Sequence, residues 1–525
     1  MKKFFNTTGP CVPLKHYMID PLSRLSEVQE LIDNELYFVL RAPRQSGKTT
    51  TLQALAKKLT QEGKYIALRF SCETGQAYGS DIKNVEQTLL ESIKFASKND
   101  LPPQLQCPDF TELPDVSRIK AALTLWASES KRPIVLIFDE IDALVDDSLL
   151  SVLHQLRDGF SYRPKNFPQS IILCGLRDVR DYKVSSAQAG ALGTASPFNI
   201  KSDSITLNCF TKSEISALYL QHSAATGQQF EPSALVKAWE LTEGQPWLVN
   251  ALANEVVGKM KVPVSEDITV AHIEEAAQRL IVARATHLDS LVAKLNEERV
   301  RKVIAPVLAG SSELGSSNYD DDLLYVRDLG LIAPTDPVRV ANPIYREVIV
   351  RVLAARITPM IVFERPTFVN ANGLLDVEII ISEFALWWAE NAEAMLKGHV
   401  YHEVAAQIVF MAWLQRVVNG GGIIDREYGI GRGRIDLLIR WPHSAAKNSR
   451  DWQREAFELK VWAQGKPDPL NIGLLQLERY LDGLNMTTGT LVIFDRRLNA
   501  EPGPERTIIS QTKTPKGYSV RLLRA

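Results

Sequence analysis

No stretch of this 525-residue chain stays apolar for the roughly 20 residues that cross a bilayer, so no membrane span is expected. A secretory leader is not expected either. Lys2-Lys3 is followed by Asn6, Thr7, Thr8 and Gly9 before any apolar core of a signal peptide can form. Cysteine is scarce: Cys11, Cys72, Cys107, Cys174 and Cys209 are scattered, with no Cys-x-x-Cys pair, which argues against a disulfide framework or a zinc ribbon. Internal repeats and low-complexity tracts are lacking. The expected setting is the cytoplasm.

Net charge is also small, at −2 from 60 basic and 62 acidic residues, and by itself it selects no partner. Its distribution is less even. From Tyr401 onward there are 18 Lys/Arg against 13 Asp/Glu, leaving 42 against 49 in the first 400 residues. A basic C-terminal quarter on an acidic body is the asymmetry expected if only that quarter meets phosphates. A hydrophobic share of 45% and a charged share of 23% describe an ordinary globular chain, long enough for about three to four domains.

Up to about residue 206, short apolar runs at 37–40, 65–70, 134–138, 171–174 and 205–207 alternate with helical patterns. Such strands, apolar throughout, imply a parallel sheet covered on both faces. Thr211-Lys212-Ser213-Glu214 has the form of a capping box and opens a run of helices to about residue 295, broken at Gly244-Gln245-Pro246. The expected parts are an α/β core over 1–207, a helical lid over 208–295, a small module over 296–358 and a second α/β domain over 359–525. The region of Pro359 and Pro366 reads as the connector into the last. Its helices are expected at 383–397 and 402–418, and its strands near 435–439, 456–461 and 490–494.

The run at 37–40 leads straight into Arg41-Ala42-Pro43-Arg44-Gln45-Ser46-Gly47-Lys48-Thr49-Thr50, after which Leu52, Leu55, Ala56 and Leu59 recur at helical spacing. A strand, a loop closing on Gly-Lys-Thr and a helix form the context of a phosphate-binding loop, whose unpaired N–H groups and helix N-terminus attract an anion. Residues 42–50 are therefore the candidate ATP cradle. Lys48 is expected at the β- and γ-phosphates, and the Thr49 hydroxyl on Mg²⁺. Ala42 stands where the usual pattern has its first glycine. The apolar run at 134–138 ends in Asp139-Glu140, which puts two acids at the carboxyl edge of the sheet. Asp139 suits the Mg²⁺ shell, and Glu140 suits a general base acting on water.

With Asn6-Thr7-Thr8-Gly9-Pro10-Cys11, His16-Tyr17 and Gly244-Gln245-Pro246-Trp247, these motifs make the first ~285 residues resemble an AAA+ ATPase of the STAND-adjacent, archaeal-ATPase kind. The resemblance implies that the N-terminal segment helps enclose the adenine and that Pro246 starts a lid helix beside it. It also makes Arg177, after the run at 171–174, a candidate γ-phosphate sensor, with a surface salt bridge as the alternative. Arg157 and Arg163 are candidate fingers for a neighbouring subunit in a homo-oligomer, with ordinary surface roles as the alternative.

Residues 328–332 and 338–349 resemble a winged-helix module, in which Asn342-Pro343-Ile344-Tyr345 opens a helix. Asp320, Asp321 and Asp322 nearby favour a packing and lid-coupling role over DNA binding.

The last quarter carries Gly431-Arg432-Gly433-Arg434-Ile435-Asp436 and, further on, Phe457-Glu458-Leu459-Lys460. Glu458 and Lys460 are two apart on one strand and so share a face. An Asp on a neighbouring strand would complete a hard-cation site for Mg²⁺ or Mn²⁺, to which the Leu459 carbonyl can add a ligand. Lys460 could orient water or offset charge on a scissile phosphate. This pattern is similar to the PD-(D/E)xK nuclease core, with Ile435 in place of proline. The resemblance adds Glu403, in Tyr401-His402-Glu403, as a further catalytic acid, and Gln476 and Tyr480, one helical turn apart, as contacts to nucleic acid. It implies a restriction-endonuclease-like domain acting on DNA or RNA, with DNA expected. The whole would be an ATPase whose nucleotide state gates a nuclease, in prokaryotic defence against phage or in mobile-element biology. The alternative is a STAND-like switch whose C-terminal domain only binds a partner.

Overall fold

The computed structural model describes the chain except residues 1–2, 26, 115, 176–200, 284–292, 309–320, 356–367, 397–404, 419–421, 431–432, 443–451 and 498. The chain divides into two compact units, one of Met1–Arg284 with Leu324–Leu331, the other of Ala285–Leu323 with Ile332–Ala525.

The first unit is built on five parallel strands, β1 (Tyr37–Arg41), β2 (Ile66–Ser71), β3 (Ile134–Asp139), β4 (Ser170–Gly175) and β5 (Lys201–Thr206), in the order β2-β3-β4-β1-β5. Parallel strands need helical crossovers, so both faces of the sheet are covered and the central strands are apolar along their length. Every residue of β3 and β4 is buried. One face holds a cluster that includes Phe70, Trp126, Leu136, Phe138 and Leu173, and the other holds Phe38, Leu40, Leu52, Leu55, Leu59 and Ile137. Leu52, Leu55 and Leu59 come from helix Lys48–Gln61, whose apolar spacing turns one stripe onto the sheet. Burying each leucine contributes about 1.5–3 kcal/mol, which keeps the N-terminus of that helix fixed at the strand ends.

Helices Lys212–Thr226, Pro232–Thr242, Pro246–Asn254 and Val270–Val282 follow in the same unit. The capping box is made: the Glu214 N–H donates to Thr211 Oγ1 at 3.2 Å and the Thr211 N–H to Glu214 Oε2 at 2.8 Å.

The second unit holds helices Glu298–Leu308, Pro343–Ala355, Val377–Leu396 and Ala405–Val418, and a six-stranded mixed sheet. Its strands are β6 (Ile423–Ile430), β7 (Gly433–Pro442), β8 (Trp452–Trp462), β9 (Thr488–Asp495), β10 (Ile508–Lys513) and β11 (Ser519–Arg524), in the order β10-β11-β9-β8-β7-β6. β6, β7 and β8 form an antiparallel meander. The crossover through helix Leu470–Leu484 then sets β9 parallel to β8. One face packs that helix on Leu438, Leu491, Ile493 and Leu522. On the other, Phe384, Trp388, Phe410, Trp413 and Phe494 interlock, with the Phe384 and Phe410 rings 4.7 Å apart edge to face. A short antiparallel bridge, Ile332 with Val340, precedes Pro343–Ala355, whose start is capped by Asn342 Oδ1 accepting from the Tyr345 N–H at 2.9 Å. Among the described residues no helix is long and apolar enough to cross a membrane.

Candidate functional sites

β1 ends at Arg41, and the next six residues wrap back on themselves. Gln45 (φ 59°) and Gly47 (φ 84°) are both left-handed, which turns successive backbone N–H groups toward one concavity at the N-terminus of helix Lys48–Gln61. Gly47 has a second reason to be glycine: a Cβ there would lie 3.2 Å from Arg24 Nη2. Arg24 braces the loop from behind. It donates to Ser46 O (3.1 Å), Asn208 O (3.0 Å) and Thr51 Oγ1 (3.2 Å), and its guanidinium lies 5.0 Å from the Phe210 ring centre. Burial depresses its pKa, and Glu214 partly restores it.

Asp139 arrives at the end of β3 with its side chain fully buried. Lys48 Nζ is 3.3 Å from Oδ1, and Thr49 Oγ1 is 3.4 Å from Oδ2. Burial opposes the Lys48 charge, but Cys174, Asp139, Asp142 and Glu140 outweigh it and hold the ammonium above its usual pKa. Arg69, on β2, donates to Asp139 Oδ2 from Nε at 3.0 Å and from Nη2 at 2.8 Å. Glu140 is itself left-handed (φ 58°), and its Oε2 accepts from the Ser71 hydroxyl at 2.5 Å. Both acids therefore receive a partner from β2.

The N-terminal segment and the stretch Gly244–Trp247 meet the same loop. The Cys11 N–H donates to Thr50 Oγ1 at 3.0 Å, and Trp247 Nε1 donates to Thr7 O at 2.9 Å. Gln245 Nε2 reaches Gln45 O at 3.4 Å and its Oε1 caps helix Pro246–Asn254 at Leu248 N, 2.6 Å. Gly244 (φ 79°) lies so close to Phe210 that a Cβ would be 1.9 Å from the carbonyl oxygen. Segment Leu324–Leu331 also belongs to this unit. Asp328 is 3.6 Å from Arg41, and a Cβ on Gly330 (φ 75°) would meet Pro43 Cβ at 2.9 Å.

The structure thus sets the loop of residues 42–50 beside Asp139 and Glu140, with Gln245, just before Pro246, reaching the loop. Arg177 lies outside the described residues. Arg163 is engaged elsewhere: its guanidinium stacks 3.4 Å from the Phe160 ring centre and donates to the Phe160 and Glu35 carbonyls. That is at the amino end of β1, away from the phosphate loop, so Arg163 is a packing residue here and not an exposed finger. Arg157 is exposed on helix Asp146–Gly159. Arg24, Arg69 and Ser71 were not foreseen. Arg69 had a signal: a guanidinium inside the apolar run Ile66-Ala67-Leu68-Arg69-Phe70 needs an acid opposite it.

In the second unit, Asp436 on β7 and Glu458 on β8 come together. Asp436 Oδ2 accepts from the Leu459 N–H at 2.8 Å. Glu458 is 2% exposed; its Oε1 accepts from Lys460 Nζ at 2.5 Å, whereas its buried Oε2 finds no partner in hydrogen-bonding geometry among the described residues, the Asp436 backbone giving the carboxylate only minor support. Burial first, and the Asp436 charge second, push the Glu458 carboxyl up to about 8 against the pull of Lys460. Gln476 Oε1, on helix Leu470–Leu484, is likewise buried with no hydrogen-bond partner among the described residues, while Tyr480 packs against the apolar cluster beneath that helix. Gly473 lets the helix sit close, since a Cβ there would fall 2.8 Å from Leu491 and 3.5 Å from Lys460 Cγ. Asp436 and Leu459 line a small cavity with Leu308, Arg346, Val350, Gln407 and Met411. Arg346 and Gln407 are wall residues the motif did not predict. Glu403 and His402 lie outside the described residues, and among the described ones no three His, Cys, Asp or Glu side chains cluster as a metal site.

No curated protein matches the chain. Among solved structures, the chain is similar to a Walker-type ATPase of Pyrococcus abyssi, at 15% identity over 66% of this chain and 99% of that one, TM-score 0.45. It is also similar to the RuvB Holliday junction branch migration motor of Thermotoga maritima (14%, 62% and 92%, TM-score 0.32) and to Cdc6p from Pyrobaculum aerophilum (11%, 63% and 92%, TM-score 0.34). Residues 32–182 match the family described as AAA domain. With the parallel sheet, the phosphate-binding loop and the buried acid at the end of β3, that match places residues 32–182 in an AAA-type P-loop ATPase domain.

Proposed function

We propose that the chain hydrolyses ATP at residues 42–50, Asp139 and Glu140, and that its nucleotide state gates phosphodiester cleavage, with DNA the expected substrate, at Asp436, Glu458 and Lys460. The observation that carries the second half is the buried Glu458 oxygen, which has no hydrogen-bond partner among the described residues. An unpaired carboxylate oxygen facing a second acid is costly, and a divalent cation removes both the desolvation penalty and the repulsion. The order helix Ala405–Val418, β6, β7, β8, helix Leu470–Leu484, β9 supports the nuclease reading, because it sets the Asp and the Glu-x-Lys on adjacent strands.

At the ATPase site, Thr49 and Asp139 fit a Mg²⁺ ion: a hydroxyl and a buried carboxylate stand 3.4 Å apart beside Lys48. The ion supplies charge neutralisation at the phosphates. Lys48 adds a fixed positive charge there, and Glu140 accepts the proton of the attacking water once Ser71 releases it. At the second site, Asp436, Glu458 and the Leu459 carbonyl would hold Mg²⁺ or Mn²⁺, which would supply Lewis-acid polarisation of the phosphodiester. Lys460 offsets charge on the phosphate, and Gln476 and Tyr480 border the substrate.

The test is cleavage of DNA and RNA oligonucleotides in Mg²⁺, Mn²⁺ or EDTA, in apo, ADP and ATP states, with Asp436→Ala as the blank. Metal-dependent cleavage that Asp436→Ala removes is expected. No cleavage in any state favours the other reading, a nucleotide switch with a binding platform. One observation supports that alternative: the described residues bring only two acids to the site.

A further inference from the structure

The phosphate-binding loop does not account for Arg69. Both Asp139 oxygens are already in use. Oδ1 faces Lys48 Nζ at 3.3 Å and accepts the Glu140 N–H at 3.0 Å. Oδ2 takes both Arg69 bonds, at 3.0 and 2.8 Å, and it is the same oxygen that Thr49 approaches at 3.4 Å. A carboxylate with no exposed surface is tolerated only when it is paired. The pairing comes from the neighbouring strand: Ser71 stands opposite Asp139 in the β2–β3 register, and Arg69, two residues earlier, projects from the same face. A guanidinium is a permanent cation and cannot shed its charge to make room. Its side chain remains 19% exposed, which leaves a way out for the head group without unpacking the sheet.

We propose that Arg69 is a resident counter-cation that Mg²⁺ must displace. Without nucleotide it neutralises Asp139 on the oxygen nearest Thr49. Mg²⁺ alone does not dislodge it. Mg²⁺ brought with ATP does, because the triphosphate adds ligands for the metal and a second anion for the released guanidinium. The ATPase site would then load metal and nucleotide together rather than in sequence. This inference rests on the reading of Asp139 as the cation-holding acid.

The experiment measures the Mg²⁺ concentration that half-saturates binding of a fluorescent ATP analogue to the full chain. Removing a resident competitor strengthens apparent metal binding by the inverse of the fraction of time it left the site free, so Arg69→Gln should lower that concentration by about tenfold or more. In the absence of nucleotide, millimolar Mg²⁺ should raise the unfolding temperature of Arg69→Gln and leave that of the parent unchanged. An unchanged or increased Mg²⁺ requirement in Arg69→Gln overturns the proposal, as does parent protein stabilised by Mg²⁺ alone. Should Arg69→Gln not fold, Arg69→Lys keeps a cation without the two-pronged contact and should show the same shift, a few-fold in size; no shift there also overturns it. Asp139→Asn separates the two ideas. If it leaves the Mg²⁺ requirement unaltered, the reading of Asp139 fails and the displacement with it. If it alters the requirement while Arg69→Gln does not, only the displacement fails.

Discussion

The two candidate sites solve the same electrostatic problem in opposite ways. Each buries a carboxylate at a strand and sets a lysine beside it. Asp139 is closed on every side: Lys48, Arg69, Thr49 and the Glu140 N–H occupy both oxygens. Glu458 is left open, with Lys460 on one oxygen, no hydrogen-bond partner among the described residues on the other, and Asp436 close enough to raise its pKa. A closed carboxylate is at rest without its ligand, and ligand must rearrange it. An open one holds a proton in place of the ligand and gives it up when a cation arrives. The first arrangement suits a site that discriminates between nucleotide states. The second suits a site that binds metal as soon as it can.

The largest effect should come from the closed site. Glu140→Gln should retain nucleotide yet slow hydrolysis by ~100-fold or more, the scale of losing a general base. Lys48→Ala should abolish nucleotide binding itself, read by the same fluorescent analogue. Hydrolysis by Glu140→Gln at the parent rate would remove Glu140 from the mechanism and leave Ser71–Glu140 as a structural contact.

The open site should betray itself through pH. The ordinary Glu pKa near 4.5 is raised in the folded protein to about 8, so the folded state holds a proton that the unfolded chain has lost. Stability from this group is complete below about 4.5 and declines as pH rises toward 8, the reverse of an ion-paired acid. Glu458→Gln should therefore flatten the fall in unfolding temperature between pH 6 and 8.5 in EDTA. Mn²⁺ affinity should rise with pH over the same window in the parent and lose that dependence in Glu458→Gln. A parent protein whose metal-free stability is flat over this window would mean that Glu458 is better paired than its environment indicates.

Much of the closed site was legible in the sequence because its chemistry lies in contiguous residues. The strand, the loop of residues 42–50 and the acids after the run at 134–138 each announce themselves locally. Arg24, Arg69 and Ser71 did not, since each acts across the sheet or behind the loop, where only tertiary pairing assigns a partner. In the second unit the three expected strands form, but β6, β10 and β11 were not anticipated. β6 reads Ile-Ile-Asp-Arg-Glu-Tyr-Gly-Ile, too polar to stand out, and it lies at one edge of the sheet. β10 lies at the other edge and is mostly exposed. Edge strands carry little apolar signal because one side has no neighbour to bury it. Spacing put Glu458 and Lys460 on one face and the resemblance to the nuclease core supplied Asp436, whereas Arg346 and Gln407 beside it depend on helices far off in the sequence.

A smaller effect is expected for communication between the two chemistries. Trapping ATP with Glu140→Gln should change cleavage of short oligonucleotides by about tenfold, or ~1.4 kcal/mol, within the usual range of coupling between sites. Equal rates in apo, ADP and trapped states would leave two independent activities on one chain.

The smallest effect tests the segment that touches the phosphate loop. Asp328 and Arg41 are 3.6 Å apart and partly exposed, and such pairs contribute about 0–1 kcal/mol, so Asp328→Asn should change ATP affinity by no more than about fivefold. Gly330→Ala acts on the same segment by a different force. At φ 75° an alanine is strained, and its Cβ would press on Pro43 at 2.9 Å, within the loop that cradles the phosphates. If this segment senses nucleotide, Gly330→Ala should weaken ATP binding more than Asp328→Asn does, and it should reduce the tenfold difference between apo and trapped cleavage. A Gly330→Ala protein that loses ATP affinity but keeps the full tenfold difference would confine the segment to bracing the loop and place the coupling elsewhere, with the lid that starts at Gly244 as the next element to test.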